Sequence, residues 1–217
     1  MTKNEKRTVH ALLDAYGRTY AEDAGIRLRN TPQPLYRLLV LSCLLSAPIR
    51  ASAAVTAARA LADAGMRDPR RMAEATWQQR VDALGEGGYR RYDEGTATQL
   101  GEGARLLLDT YGGDLRELRR EADGDVGRLG ELLQQVPGLG PVGATIFLRE
   151  VQGVWPEAAP YIDAKVVQGA GRLDLPKDPS RLARLVSEPQ LTPFTAALVR
   201  CALDKGVAAE VREHAHA

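Results

Sequence analysis

Three observations predict an all-α fold. Helix starts are punctuated by an N-cap residue followed by proline, whose fixed φ suits the first helical turn, at Asp68-Pro69, Asp178-Pro179 and Thr192-Pro193. Apolar residues recur at helical spacing through most of the chain. No run of alternating β-branched residues marks a strand.

The elements follow in order. Residues 5–16 form a periodic run that closes at Gly17, 35–47 are apolar nearly all round, and 51–64 are alanine-rich, suited to close packing on a neighbour. A helix opens at Pro69 and runs to about Leu84. After the glycine-rich turn GEGGYRRYDEG comes a helix near 96–111, and over 125–136 Val126, Leu129, Leu132, Leu133 and Val136 share one face. Later helices cover about 142–152, 164–173, 179–187 and 193–205. The turn QGVWPEAAP, 152–160, is the clearest break in the second half.

With 217 residues and 44% apolar content the chain can bury one core or two small lobes. Its longest apolar run, LLVLSCLLSA at 38–47, falls short of the roughly 20 residues a membrane span needs, and the first residues do not pattern as a signal peptide. The expectation is a soluble, cytoplasmic protein. A formal net charge of +1 sets up no global field, so an anionic partner must be held by a local patch or by backbone amides. Cys43 and Cys201 sit inside apolar helical patterns and read as core thiols, too few for a disulfide framework or a cysteine-rich metal site.

One stretch breaks the helical pattern at a cost. In QQVPGLGPVGATIF, 134–147, two prolines and three glycines interrupt helix, where each glycine costs roughly 1 kcal/mol and each proline about 3. The pattern reads as helix, hairpin PGLG (137–140), helix, with Pro137 stopping the first helix and Gly138 and Gly140 free to take positive φ and to allow close approach. Such a turn at a helix N-terminus leaves N–H groups pointing outward, an anion site able to grip a nucleic-acid phosphate without reading sequence. The competing reading is a tight connector with no ligand.

On these residues the sequence resembles the endonuclease III-like helix-hairpin-helix superfamily of base-excision DNA glycosylases. The resemblance covers most of the chain and is anchored by LLVLSCLLSA (38–47), GGYRRYDEGTATQLGEGARLLL (87–108), VPGLGPVGATIFL (136–148) and YIDAKVVQGAGRL (161–173). It implies two helical lobes, a six-helix one over 31–153 ending in the hairpin and a second from residues 1–30 and 154–217, with double-stranded DNA carrying a damaged or mismatched base between them. The implied DNA contacts are Pro137, Gly138, Leu139, Gly140, Val142 and Gly143 of the hairpin, with Lys165, Arg90 and Arg91.

Asp163 matches the family's catalytic aspartate. Cleaving an N-glycosidic bond develops positive charge on the sugar, and a carboxylate stabilises that charge and orients or deprotonates a water. The same residue is placed to N-cap the helix starting at Ala164, and both roles are compatible. Family branches that also nick the strand carry a lysine two positions after the hairpin's second glycine; here that position is Val142, and Lys165 lies elsewhere, so the implied enzyme is monofunctional. Iron-sulfur relatives use four cysteines near the C-terminus, where this chain has Cys201 alone, so the resemblance implies no cluster and no cofactor, a monovalent cation at the hairpin being the one exception left open. His214 and His216 lack a third ligand, and the tail EVREHAHA reads as disordered rather than as a metal site.

Where relatives place a glutamine after LLSA to fill the gap left by a flipped base, this chain has Pro48, followed by Ile49 and Arg50, either of which is a candidate wedge. Tyr89, Arg90, Arg91 and Tyr92 form a basic and aromatic cluster that stacks on a base or holds phosphates, or else sets tyrosines over the core beneath wet arginines. The functional expectation is a monofunctional DNA glycosylase, with a non-catalytic structure-specific DNA-binding protein of the same fold as the alternative.

Overall fold

The computed structural model describes residues 1–216, and the His216 side chain and Ala217 lie outside it. It is all-helical, with no strand among the described residues. The helices are α1 (Lys3–Tyr16), α2 (Tyr20–Asp23), α3 (Pro32–Ser46), α4 (Ala51–Asp63), α5 (Pro69–Glu74), α6 (Trp77–Glu86), α7 (Asp93–Tyr111), α8 (Leu115–Glu121), α9 (Val126–Gln134), α10 (Pro141–Val151), α11 (Ala164–Arg172), α12 (Pro179–Ala183), α13 (Leu191–Leu203) and α14 (Lys205–His216). None is long and apolar enough to cross a membrane. The chain divides into two compact units, one of Ala21–Leu148 and one of Met1–Tyr20 with Arg149–Ala217.

In the Ala21–Leu148 unit α3 is the central element. Nine of its residues are buried, Leu35 to Leu44 almost without gap, as a helix apolar all round requires. The alanines of α4 allow close approach: Ala54, Ala57 and Ala58 are buried, and Gly87 meets the backbone so closely that a Cβ there would lie 2.2 Å from Ala57 Cα. Arg80 is buried without a carboxylate partner among the described residues. It donates from Nε to the Ala97 carbonyl (2.7 Å) and from Nη1 to those of Met72 (3.0 Å) and Ala75 (2.6 Å), satisfying carbonyls at the end of α5.

In the other unit α11 packs on α13 through Gly169, where a Cβ would fall 1.8 Å from the Leu198 carbonyl oxygen, so no larger residue fits. Helices α1 and α14 pack together, joined at one point by the Tyr16 hydroxyl donating to Glu210 (2.6 Å). Trp155 is fully buried in the turn after α10.

Several elements differ from the sequence reading. The expected helix 69–84 is two, because Ala75 is extended (ψ 142°) and Thr76 starts α6 with a capping box closed by Gln79, a T-x-x-Q signal present in the sequence. The connection after α7 holds α8, capped by Asp114. The expected helix 179–187 stops at Ala183. Ser187 and Gln190 cap a short 3₁₀ turn that leads into α13, so Leu191 is its first residue and Pro193 falls inside the first turn. The tail expected to be disordered is α14, which buries Ala208, Val211 and Ala215.

Candidate nucleic-acid interface

The hairpin is built by the end of α9 and the start of α10. The Leu139 N–H donates to the Val136 carbonyl (3.0 Å), closing a turn that needs positive φ at Gly138 (+87°). Leu139 is buried and pins the turn inward, and Gly143 makes room for it: a Cβ at 143 would meet Leu139 Cδ1 at 2.7 Å. Gly140 departs from expectation, since its φ is not positive and a Cβ there meets nothing within 4 Å. Its role lies in what it lacks. It stands at the N-cap position with no side-chain oxygen, and the first intrahelical bond runs from the Ala144 N–H to its carbonyl (2.9 Å). The N–H groups of Val142 and Gly143 precede that bond, and Pro141 has none to offer. Val142 is 59% exposed beside them. The hairpin thus presents an uncapped helix start, with Leu139 and Gly143 contributing main chain only.

The other sequence candidates in this unit surround α3 and α7. Pro48, Ile49 and Arg50 form the short link between α3 and α4, Pro48 and Arg50 exposed and Ile49 partly covered. Tyr89 belongs to the core, its hydroxyl donating to the Leu44 carbonyl (3.4 Å), while Arg90 and Arg91 are exposed. The Arg91 guanidinium lies 5.4 Å from the centre of the Tyr92 ring, a cation–π contact, and Tyr92 meets Tyr89 edge to face at 6.4 Å.

Asp163 lies in the other unit. Its Oδ1 accepts from the N–H groups of Lys165 (2.7 Å) and Val166 (3.1 Å), so it does N-cap α11. Its Oδ2 accepts from Arg149 Nη1 at 2.5 Å, an ion pair whose side chains are 13% and 5% exposed. The Arg149 Nε is buried with no hydrogen-bond partner among the described residues. Gln152 fixes the approach to Asp163, accepting from the Tyr161 N–H (2.9 Å) while its own amide donates to the Arg149 carbonyl (2.8 Å) and to Thr195 Oγ1 (3.3 Å). Lys165 is exposed, and its ammonium donates to Gln168 (3.0 Å).

Arg149 and Gln152 are the residues sequence reasoning missed. A signal existed, because an arginine inside the apolar run IFLREV must either face water or find buried acceptors, whether a carboxylate or, as for Arg80, main-chain carbonyls. A carboxylate has about four acceptor sites. Asp163 commits two on Oδ1 and one on Oδ2, which leaves one on Oδ2.

A solved structure described as a trapped endonuclease III–DNA covalent intermediate, an estranged-adenine complex, matches 92% of this chain and 85% of that chain at 16% identity, with a TM-score of 0.53. The chain therefore has the all-helical fold of endonuclease III. No family model matches the sequence, and no curated protein does.

Proposed function

We propose that this protein binds double-stranded DNA through the hairpin and excises a damaged or mismatched base as a monofunctional glycosylase. The observation that carries this reading is the start of α10: a hairpin held by Gly138 and Leu139 presents unbonded amides behind a glycine with no capping side chain. That arrangement suits a phosphate and reads no sequence. In the reaction the C1′–N bond breaks with its electron pair leaving on the base, which takes up a proton, while a water oxygen bonds to C1′ and gives up its proton. Asp163 supplies negative charge opposite the cationic sugar and, through its last acceptor site, a place to orient that water. Val142 can form no Schiff base, so no strand cleavage follows. The four-thiolate cluster of some relatives does not fit this chain, which has two cysteines, both buried.

A second reading, a non-catalytic DNA-binding protein, is favoured by the Arg149–Asp163 pair, which already balances the carboxylate's charge. Single-turnover base release from duplexes carrying uracil, alkylated purines, oxidised purines, oxidised pyrimidines or mismatched adenine decides between them. Release from one class, with no adduct trapped by borohydride, supports the glycosylase. Tight duplex binding with no release from any supports the binder.

A further inference from the structure

The two buried arginines of this chain are used differently. Arg80 spreads its donors over the main-chain carbonyls of Ala97, Met72 and Ala75, as a guanidinium that serves only the fold should. Arg149 is as deeply buried, yet its side chain makes one hydrogen bond, from Nη1 to Asp163 Oδ2, and its Nε is left without a partner among the described residues. An orphaned buried N–H is costly, so stability alone does not account for this arrangement.

The cause of the single contact lies in Asp163. Its Oδ1 is filled by the N–H groups of Lys165 and Val166, and side-on pairing with a guanidinium needs both carboxylate oxygens. The guanidinium is therefore confined to Oδ2. Held at Oδ1 alone, the carboxylate could rock about that oxygen, because the terminal torsion of an aspartate is broad. Arg149, reaching over from the end of α10, removes that freedom. Its own position is fixed in turn: the Gln152 amide donates to the Arg149 carbonyl and accepts from the Tyr161 N–H, so one buried side chain ties Arg149 to the segment that leads into Asp163. The carboxylate is left with one open acceptor position, on Oδ2, pointing in one direction.

We propose that Arg149 is a positioning residue for base excision, acting through Asp163: it fixes the rotation of the carboxylate so that the open position on Oδ2 receives the attacking water. No proton passes to Arg149 and it touches no reacting atom. The proposal rests on the glycosylase reading above. A second effect opposes it, since the guanidinium also offsets the negative charge that Asp163 presents to a cationic sugar, and if charge alone governed the rate, removing Arg149 would speed base release.

The test measures single-turnover base release, with saturating full-length protein in excess over the duplex, on whichever lesion wild type releases. The rate constant then reports the folded, bound protein and the amplitude reports how much of it there is. Arg149→Met keeps the bulk and loses the bond, and should slow release by about 10- to 100-fold with duplex affinity within about twofold. Arg149→Lys keeps the charge but not the planar fork, and should be slowed by about three- to tenfold, which separates geometry from charge. Adding Arg149→Met to Asp163→Asn should cost no more than about twofold beyond Asp163→Asn alone, because there is no carboxylate left to position. Circular dichroism identifies the folded variants, and the lysine variant decides if the methionine one does not fold. Release at or above the wild-type rate in a folded single variant overturns the proposal, as does a full multiplicative loss in the double variant, and either leaves the glycosylase reading standing. Wild type that releases no base from any duplex removes that reading and this role with it.

Discussion

Replacing Asp163 with asparagine tests the site most sharply, and its cost follows from how the two carboxylate oxygens are used. Oδ1 serves two helix amides and Oδ2 the Arg149 guanidinium, whereas an amide has one acceptor oxygen. If that oxygen caps α11, the NH₂ faces Arg149; if it turns to Arg149, the NH₂ faces the N–H groups of Lys165 and Val166. In both orientations the 5%-exposed Arg149 loses its counter-charge. Taking one partner from a buried ion pair costs about 3–5 kcal/mol, and the residual 13% exposure of Asp163 places this case near 3. The capping argument alone, under which Asp and Asn are nearly equivalent, gives a loss within about 1 kcal/mol. The two estimates are far enough apart to measure. At roughly 2–4 °C per kcal/mol for a chain of this size, the variant should melt about 6–12 °C below wild type. Arg149→Met with Asp163→Asn should recover part of the loss, with a coupling of about 2 kcal/mol in the double-mutant cycle. Thermal and urea denaturation of the four proteins make the measurement. A single variant within 1 kcal/mol of wild type and an additive double would refute the ion pair. On whichever lesion proves active, base release by the folded variant should fall by about two to four orders of magnitude.

Other outcomes follow from single features of the structure. Gly140→Ala meets no steric obstacle and should cost no more than about 1 kcal/mol as a poorer N-cap, yet weaken binding to duplexes of any sequence; Gly138→Ala should cost about 1–2 kcal/mol through its positive φ, so filter binding is the more readily interpreted for the first. Val211→Asp buries a charge in α14 and should destabilise by about 3 kcal/mol in urea titrations, whereas a disordered tail would tolerate it. Burial raises the thiols of Cys43 to about 12 and Cys201 to about 11, so iodoacetamide at pH 8 should modify neither in the native protein and both in denaturant. Asp114 is held below the usual carboxylate range, first by the Arg116 side chain and further by its amide. Its stabilisation is present above about pH 4, the unfolded value, and is lost as pH falls through the lower folded one, so Asp114→Ala should destabilise at pH 7 and lose that effect toward pH 2 in acid melts.

Local chemistry made much of the molecule legible from sequence. The all-α class, the buried α3 and the caps at Asp68 and Asp178 follow from periodicity and from side chains acting within one turn. So does the hairpin, because Pro137 and Gly138 act on their own backbone. Errors arose where two local signals competed. The apolar pattern of 69–84 outweighed Thr76, and the charged tail EVREHAHA concealed the narrow Ala208, Val211, Ala215 face that packs with α1.

The capping half of Asp163 is a matter of three consecutive residues, and sequence was enough to place it. Its pairing with Arg149 joins positions fourteen residues apart across the Trp155 turn, and only the folded path of that turn brings them to 2.5 Å. A small cavity beside Gly138 is further still from any local rule, since its walls come from α3, α7, the Tyr89–Tyr92 loop and the hairpin. Sequence by itself determined the helices, their caps and the glycine turn, because those depend on backbone dihedrals and hydrogen bonds within a few residues. Which charge faces Asp163, and which side chains enclose the space under Gly138, depend on how whole helices pack, and tertiary structure alone decided them.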